Sequence, residues 1–195
     1  DNNRLDGFSH EVPHQGLIAL AAPIDIGMSF DTLMDNLAGN PLLLLLDGVT
    51  DPQNLGAVIR SAAAFGANGV ILPERRSASV NAAAWKVSAG AAAHMPVARV
   101  VNLTKALEGL KERGYYVVGL DGGGDNLVGE TGFESDPLVV VLGSEGSGLG
   151  RLVRETCDAI AGIPISSSVE SLNASVAAGI SLYAVSNARR KAAAE

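Results

Sequence analysis

Two unbroken apolar runs, Leu42–Leu46 and Leu138–Leu142, set the tightest limit on what this chain can fold into. A strand with one wet face alternates polar and apolar residues. A short run that is apolar at every position is instead covered on both faces, as strands of a parallel sheet are. Pro41 and the turn signal Asp47-Gly48 bound the first run. Between the two runs the apolar residues adopt helical spacing: Leu55, Val58, Ile59, Ala62 and Phe65, ending at Gly66.

The same alternation continues along the chain. Strands are expected over Val70–Leu72 (stopped by Pro73), Val97–Val101, Tyr115–Leu120 and Ala159–Ile163. Helices are expected over Leu55–Phe65, Ser79–Ala92, Leu103–Arg113, Leu149–Cys157 and Leu172–Arg190. Strands that alternate with helices require crossover connections, so the predicted class is α/β, a mainly parallel sheet flanked by helices. Upstream of Pro41, Gly16–Ala22 reads as a short strand and Phe30–Leu37 as a short helix. Residues 1–15 are polar and aperiodic. The organisation is a lead-in over residues 1–40 and one domain over 41–195.

With 195 residues, 47% of them apolar, the chain can build one good core. No run is long enough to cross a bilayer, and no signal-peptide pattern opens the chain, which fits a cytoplasmic location. A single cysteine, Cys157, excludes an internal disulfide framework. His10, His14 and His94 share no metal-ligand spacing with it, so no metal is expected. The net charge of −7 opposes nucleic-acid binding and favours a small-molecule enzyme. Local clusters weigh more than the sum, however. Arg75-Arg76, Lys86 and Arg151 with Arg154 are such clusters, while Arg189-Arg190-Lys191 fits the cation preference of a helix C-terminus.

The chemistry concentrates in the C-terminal third. The strand Leu138–Leu142 runs into Gly143-Ser-Glu-Gly-Ser-Gly-Leu-Gly150, a glycine turn carrying one carboxylate, Glu145. Glycines allow close approach of backbone to a ligand. No Lys-Ser or Lys-Thr follows, so it is not a P-loop, and no acidic residue about 20 positions on ends a strand, so a dinucleotide fingerprint fits poorly. A plain strand-to-helix turn remains open on these residues alone. Asp121-Gly-Gly-Gly-Asp125 is a second glycine cluster at a strand end, either a connection or the opposite wall of a cleft. Asn54 lies near a helix start, where capping is the usual role. Arg60 lies two turns further on; on these residues alone a solvated surface arginine is the better reading, with confinement of its head group by the apolar flanks Val58, Ile59 and Ala62–Ala64 as the alternative. Ser171 reads as the N-cap of the last helix and Asn173 as a first-turn polar residue.

Taken in order, three segments resemble the SpoU branch of the SPOUT methyltransferases. They are Asp51-Pro-Gln-Asn-Leu-Gly-Ala-Val-Ile-Arg60-Ser-Ala, then Leu142-Gly-Ser-Glu-Gly-Ser-Gly-Leu, then Ile163-Pro-Ile with Ser171-Leu-Asn-Ala-Ser-Val-Ala-Ala-Gly-Ile180. The likeness spans about Pro41 to Arg190, with His14-Gln-Gly16 as a lead-in. It implies methyl transfer from S-adenosylmethionine to a ribose 2′-hydroxyl of RNA, by a homodimer whose fold ends in a deep trefoil knot. By the same resemblance Leu120, Asp121, Gly122, Leu142, Gly143, Ile163, Ile165 and Leu172 line the cofactor pocket. Asn54, Arg60, Glu145, Ser171 and Asn173 match catalytic and RNA-facing positions, with Glu145 read as a positioning group for Asn54 or for the knot backbone rather than as the base.

The subgroup most similar methylates a guanosine of large-subunit rRNA; tRNA is the alternative substrate. Many members carry a separate N-terminal RNA-binding domain that has no counterpart in this chain. Methylation at a base atom and a non-catalytic RNA-binding factor of the same fold are the competing readings.

Overall fold

The computed structural model describes Leu5, Leu17, residues 27–166 and residues 169–194. Of the strand expected over Gly16–Ala22 only Leu17 is among those residues, and the lead-in His14-Gln-Gly16 lies outside them.

The strands are β1 (Met28–Ser29), β2 (Leu42–Asp47), β3 (Gly69–Pro73), β4 (Val97–Val100), β5 (Tyr116–Leu120), β6 (Asn126–Leu127), β7 (Leu138–Gly143) and β8 (Ala159–Gly162). They form one sheet in the order β1-β4-β3-β2-β7-β5-β8-β6. Every pairing is parallel. The two apolar runs are the central neighbours: Leu42 pairs with Leu138, and the register continues to Asp47 opposite Gly143.

Alternate leucines of β2 feed opposite sides. Leu42, Leu44 and Leu46 pack with Leu55, Val58, Ile59 and Ala62 of α2 (Pro52–Ala64), and with Ala178, Leu182 and Val185 of α6 (Ala174–Ala192). Leu43 and Leu45 face Leu33 of α1 (Phe30–Asp35), Leu107 and Leu110 of α4 (Leu103–Glu112), and Val153 of α5 (Arg151–Thr156). Helices therefore cover both faces, which is why β2 carries no polar residue before Asp47. Burying each such leucine is worth about 1.5–3 kcal/mol.

Three expectations are corrected. The helix read over Ser79–Ala92 is only α3 (Ala82–Val87), followed by a 3₁₀ turn at Ala91–Ala93. Ala89 and Gly90 break it by taking positive φ, +51° and +89°. Helix α2 begins before Leu55, because Asp51 caps it by accepting from the amides of Gln53 and Asn54. Helix α6 begins at Ala174, after the expected Leu172, with Asn173 and not Ser171 as its cap. The two-residue strands β1 and β6 leave no periodic signal in the sequence.

The cation cluster at the end of α6 also does more than answer the helix dipole. Arg189 Nε donates to the Glu134 carbonyl at 2.6 Å, and its terminal nitrogens reach the carbonyls of Asn40 and Asp136, both at 2.7 Å. One guanidinium thus clasps α6 to the segments that lead into β2 and β7. No helix among the described residues is long and apolar enough to cross a membrane.

Candidate active site

Because every strand is parallel, all the C-terminal strand ends share one edge of the sheet, where open α/β sheets bind ligands. A cavity of about 690 Å³ opens there, within the usual range for small-molecule sites. Its walls come from the ends of β5 (Leu120, Asp121, Gly122) and β7 (Leu142, Gly143), and from the chain after β8 (Ile163, Ile165 and 170–174). All eight residues expected in a cofactor pocket, Leu172 among them, line this one cavity.

The β7 turn is held rigidly. Ser144 N donates to Gly148 O and Gly148 N returns a bond to Ser144 O, each at 3.0 Å. Gly146 and Gly148 take positive φ, +86° and +65°. Gly143 has no room for a side chain, since a Cβ there would lie 2.2 Å from the Gly148 carbonyl carbon. Gly150 N donates to Asp47 Oδ2 at 2.8 Å, fastening the far end of the turn to β2. The turn signal at Asp47 gave no hint of this role. Only the parallel register, which sets Asp47 beside Gly143, reveals it.

Glu145 stands on this turn and gathers the other polar groups. Its Oε1 accepts from Asn54 Nδ2 at 2.7 Å and from Asn173 Nδ2 at 3.2 Å. Asn173 Nδ2 also donates to Asn54 Oδ1 at 3.0 Å. At its other end, Asn173 Oδ1 caps α6 by accepting from Ser175 N at 2.9 Å and Val176 N at 3.3 Å. Three distant segments therefore meet in one closed cluster, and both hydrogens of the Asn173 amide are used within it. Asn54 is free for this because Asp51, not Asn54, caps α2.

The remaining site residues are placed as follows. Ser171 lines the cavity and is exposed. Asp121 lines it too, but its carboxylate already pairs with Arg154 and accepts from Gly123 N at 2.9 Å. Arg60 is a solvated surface arginine and is not confined by its apolar flanks: it is exposed and is not part of the cavity lining. It has no hydrogen-bond or ion-pair partner among the described residues. Arg60 follows Asn54 by six residues, about 9 Å along the helix axis. Glu170 and the turn residues Ser144, Ser147 and Gly148 line the cavity without having been expected to. Cys157 is structural: its Sγ donates to Val153 O at 3.2 Å, and burial, with help from Asp158, pushes the thiol up to about 11.

The cavity combines an apolar wall (Leu120, Leu142, Ile163, Ile165, Leu172) with glycine backbone and three carboxylates, Glu145, Glu170 and the Arg154-paired Asp121. That donor set suits a ligand with a flat apolar part, polar groups and a positive charge.

Known proteins are similar to this chain in sequence and in overall fold. The model of the SpoU rRNA Methylase family matches residues 41–183. A protein of Mycobacterium avium (strain 104) named as an uncharacterized tRNA/rRNA methyltransferase is 54% identical over 188 residues, which is 95% of this chain and 60% of that protein. The chain thus spans about three fifths of the length of this relative. The SpoU methyltransferase AviRb from Streptomyces viridochromogenes, in complex with the cofactor AdoMet, is similar in structure with a TM-score of 0.77. It is 30% identical, over 85% of this chain and 66% of that one. An RNA 2′-O ribose methyltransferase is similar with a TM-score of 0.70 at 26% identity, over 78% of this chain and 58% of that one.

Proposed function

The chain belongs to the SpoU rRNA methylase family, and on that premise we propose that it methylates RNA at a ribose 2′-hydroxyl, using S-adenosylmethionine. The observation that carries the reading is the Asn54–Glu145–Asn173 cluster at the margin of the cavity. A cofactor pocket that shares a rim with a pre-organised polar cluster is what transfer to a weak nucleophile requires.

When bound, the cofactor would supply a methyl group on a sulfonium, from which a neutral thioether leaves without help from a metal. The apolar wall would hold its adenosine, and the glycine backbone at Gly122 and Gly143, which lines the same cavity, would leave room for it. The carboxylates of Glu145 and Glu170 favour a cation nearby. Ser171 faces the ribose. Asn173 is committed to its cap and to the cluster, so it positions the start of α6 and leaves direct contact to Ser171. Glu145 holds Asn54. Arg60 offers an uncommitted fork of donors that grips the target phosphate and steadies charge developing on the ribose oxygen. A guanidinium is effectively always protonated, so the proton leaves to a phosphate oxygen or to water.

The fold carries the trefoil knot of the family in this reading, with the chain after Ile163 as the threaded segment. The enzyme acts as a homodimer in the cytoplasm. The apolar stripe Val176, Ile180 and Tyr183 on α6, at helical spacing and 48%, 38% and 50% exposed, supports the dimer. Large-subunit rRNA, at a guanosine, is the substrate favoured by the subgroup likeness. Labelled methyl transfer to separate rRNA and tRNA pools tests this: incorporation into large-subunit rRNA is expected. Incorporation only into tRNA would move the substrate to the alternative, and none in either would leave the binding-factor reading.

A further inference from the structure

The Arg75-Arg76 pair plays no part in the site described so far. It sits in the turn that follows β3, on the same edge of the sheet as the cavity. Two strand spacings, β3 to β2 to β7, separate that turn from the glycine turn, about 10 Å at the usual strand separation.

The turn is anchored at both sides of the pair. Glu74 N donates to Val100 O at 2.9 Å, and Ala78 N donates to Val49 O at 2.8 Å. Ala78 itself is buried, so the turn is nailed to the loop that follows β2 and leads to Asp51 and Asn54. Both arginines are exposed, and neither has an ion-pair or hydrogen-bond partner from its side chain among the described residues. Arg76 also holds φ at +58°, a left-handed backbone that a side-chain-bearing residue adopts only at a cost. Strain of this kind persists where the surroundings over-determine it.

The neighbouring charges are differently disposed. Arg154 and Arg151, on the cavity side of the edge, are taken up by Asp121 and Glu155. Asp47 and Asp51 are occupied by backbone amides. Glu74 is exposed beside the pair, so the turn keeps a net positive charge. In a chain of net charge −7, attraction for a polyanion has to come from such local groups.

We propose that the Arg75-Arg76 turn is a phosphate-binding site for single-stranded RNA, holding the strand on the sheet edge next to the nucleotide that enters the cavity. This inference rests on the RNA-methylation reading. Two forked guanidiniums on an anchored turn suit backbone phosphates, which fix register without reading sequence. A loop or unpaired segment is the form of RNA whose nucleotides can be presented to a pocket.

The test measures binding of a labelled single-stranded oligoribonucleotide of mixed sequence against salt concentration. The comparison is wild type, R75A/R76A, R76G and R190A. Glycine at position 76 keeps the left-handed backbone without strain, so R76G removes the guanidinium and spares the turn. Arg190 lies at the far end of α6, beside the Arg189 clasp that grips the opposite edge of the sheet. For R75A/R76A the slope of log affinity against log salt should fall by about 1.4, at about 0.7 per lost phosphate contact on single strands. It should fall by about half that for R76G. Affinity for S-adenosylmethionine should stay unchanged in all variants, and R190A should keep the wild-type slope. Wild-type slopes in R75A/R76A and R76G, with wild-type RNA binding intact, would overturn the site and leave the methylation reading standing. An absence of RNA binding by the wild-type chain would overturn both.

Discussion

Asn54 Nδ2 donates to Glu145 Oε1 at 2.7 Å, joining the first turn of α2 to the glycine turn after β7 across 91 positions of sequence. Asn173 completes the contact from the start of α6. If this cluster positions the reacting groups, Asn54 and Glu145 act as a unit. N54A and E145A should each lower the methyl-transfer rate about tenfold or more. The double variant should fall short of the summed effects by about 0.5–3 kcal/mol in a double-mutant cycle. Strict additivity, read from single-turnover rates, would separate the two roles.

Arg60 is exposed and uncommitted, so its replacement leaves no buried group orphaned. R60A should therefore fold normally and bind S-adenosylmethionine with unchanged affinity by calorimetry. Its methyl-transfer rate should drop by about 10²–10³, the usual cost of removing one donor to developing negative charge. Equal loss of cofactor binding would argue against a role at the acceptor.

Gly143 carries the tightest steric demand at the cavity. G143A would place a methyl group 2.2 Å from the carbonyl carbon of Gly148, forcing the turn open. Loss of cofactor binding and a lower melting temperature are expected. Gly109 in α4 has open space at its Cβ position and no positive φ, so G109A should stabilise the fold by about 0.4–1 kcal/mol. Thermal melts of the two variants make the comparison.

Glu134 supplies a pH signature. Burial pushes its carboxyl up, but hydrogen bonds from the Thr131 hydroxyl and amide and from Gly132 N more than reverse this, leaving it below its ordinary value. A carboxyl depressed on folding adds stability above its unfolded pKa, about 4.3, and loses it as the pH falls through the folded value. E134Q should thus be less stable than wild type at neutral pH, and the gap should narrow below about pH 4. Denaturant melts at both pH values give the answer.

The sheet was legible in the sequence because Leu42–Leu46 and Leu138–Leu142 are apolar on both faces, and that pattern has few structural homes. The cavity lining was legible through the family motifs, whose glycines and small residues fall at strand ends. Caps were not. Asp51, Asn54, Ser171 and Asn173 are all plausible caps by type, and only three-dimensional competition for partners decides which oxygen takes which amide. Asp47 and Arg189 were opaque for a related reason. Their partners, Gly150 N and the carbonyls of Asn40, Glu134 and Asp136, are set by parallel register and helix docking, which no local pattern encodes. Ala89 broke a helix that its alanine-rich surroundings favour, because the backbone turns left-handed there before the 3₁₀ turn.

The ribose 2′-oxygen is the atom that receives the methyl group in the proposed reaction. RNA methylated by the chain with labelled S-adenosylmethionine should be hydrolysed in alkali and its products separated. Label is expected in an alkali-stable dinucleotide that yields a 2′-O-methylnucleoside on further digestion, with that product formed about 10²–10³-fold more slowly by R60A. Label recovered in a base-methylated nucleoside would contradict it.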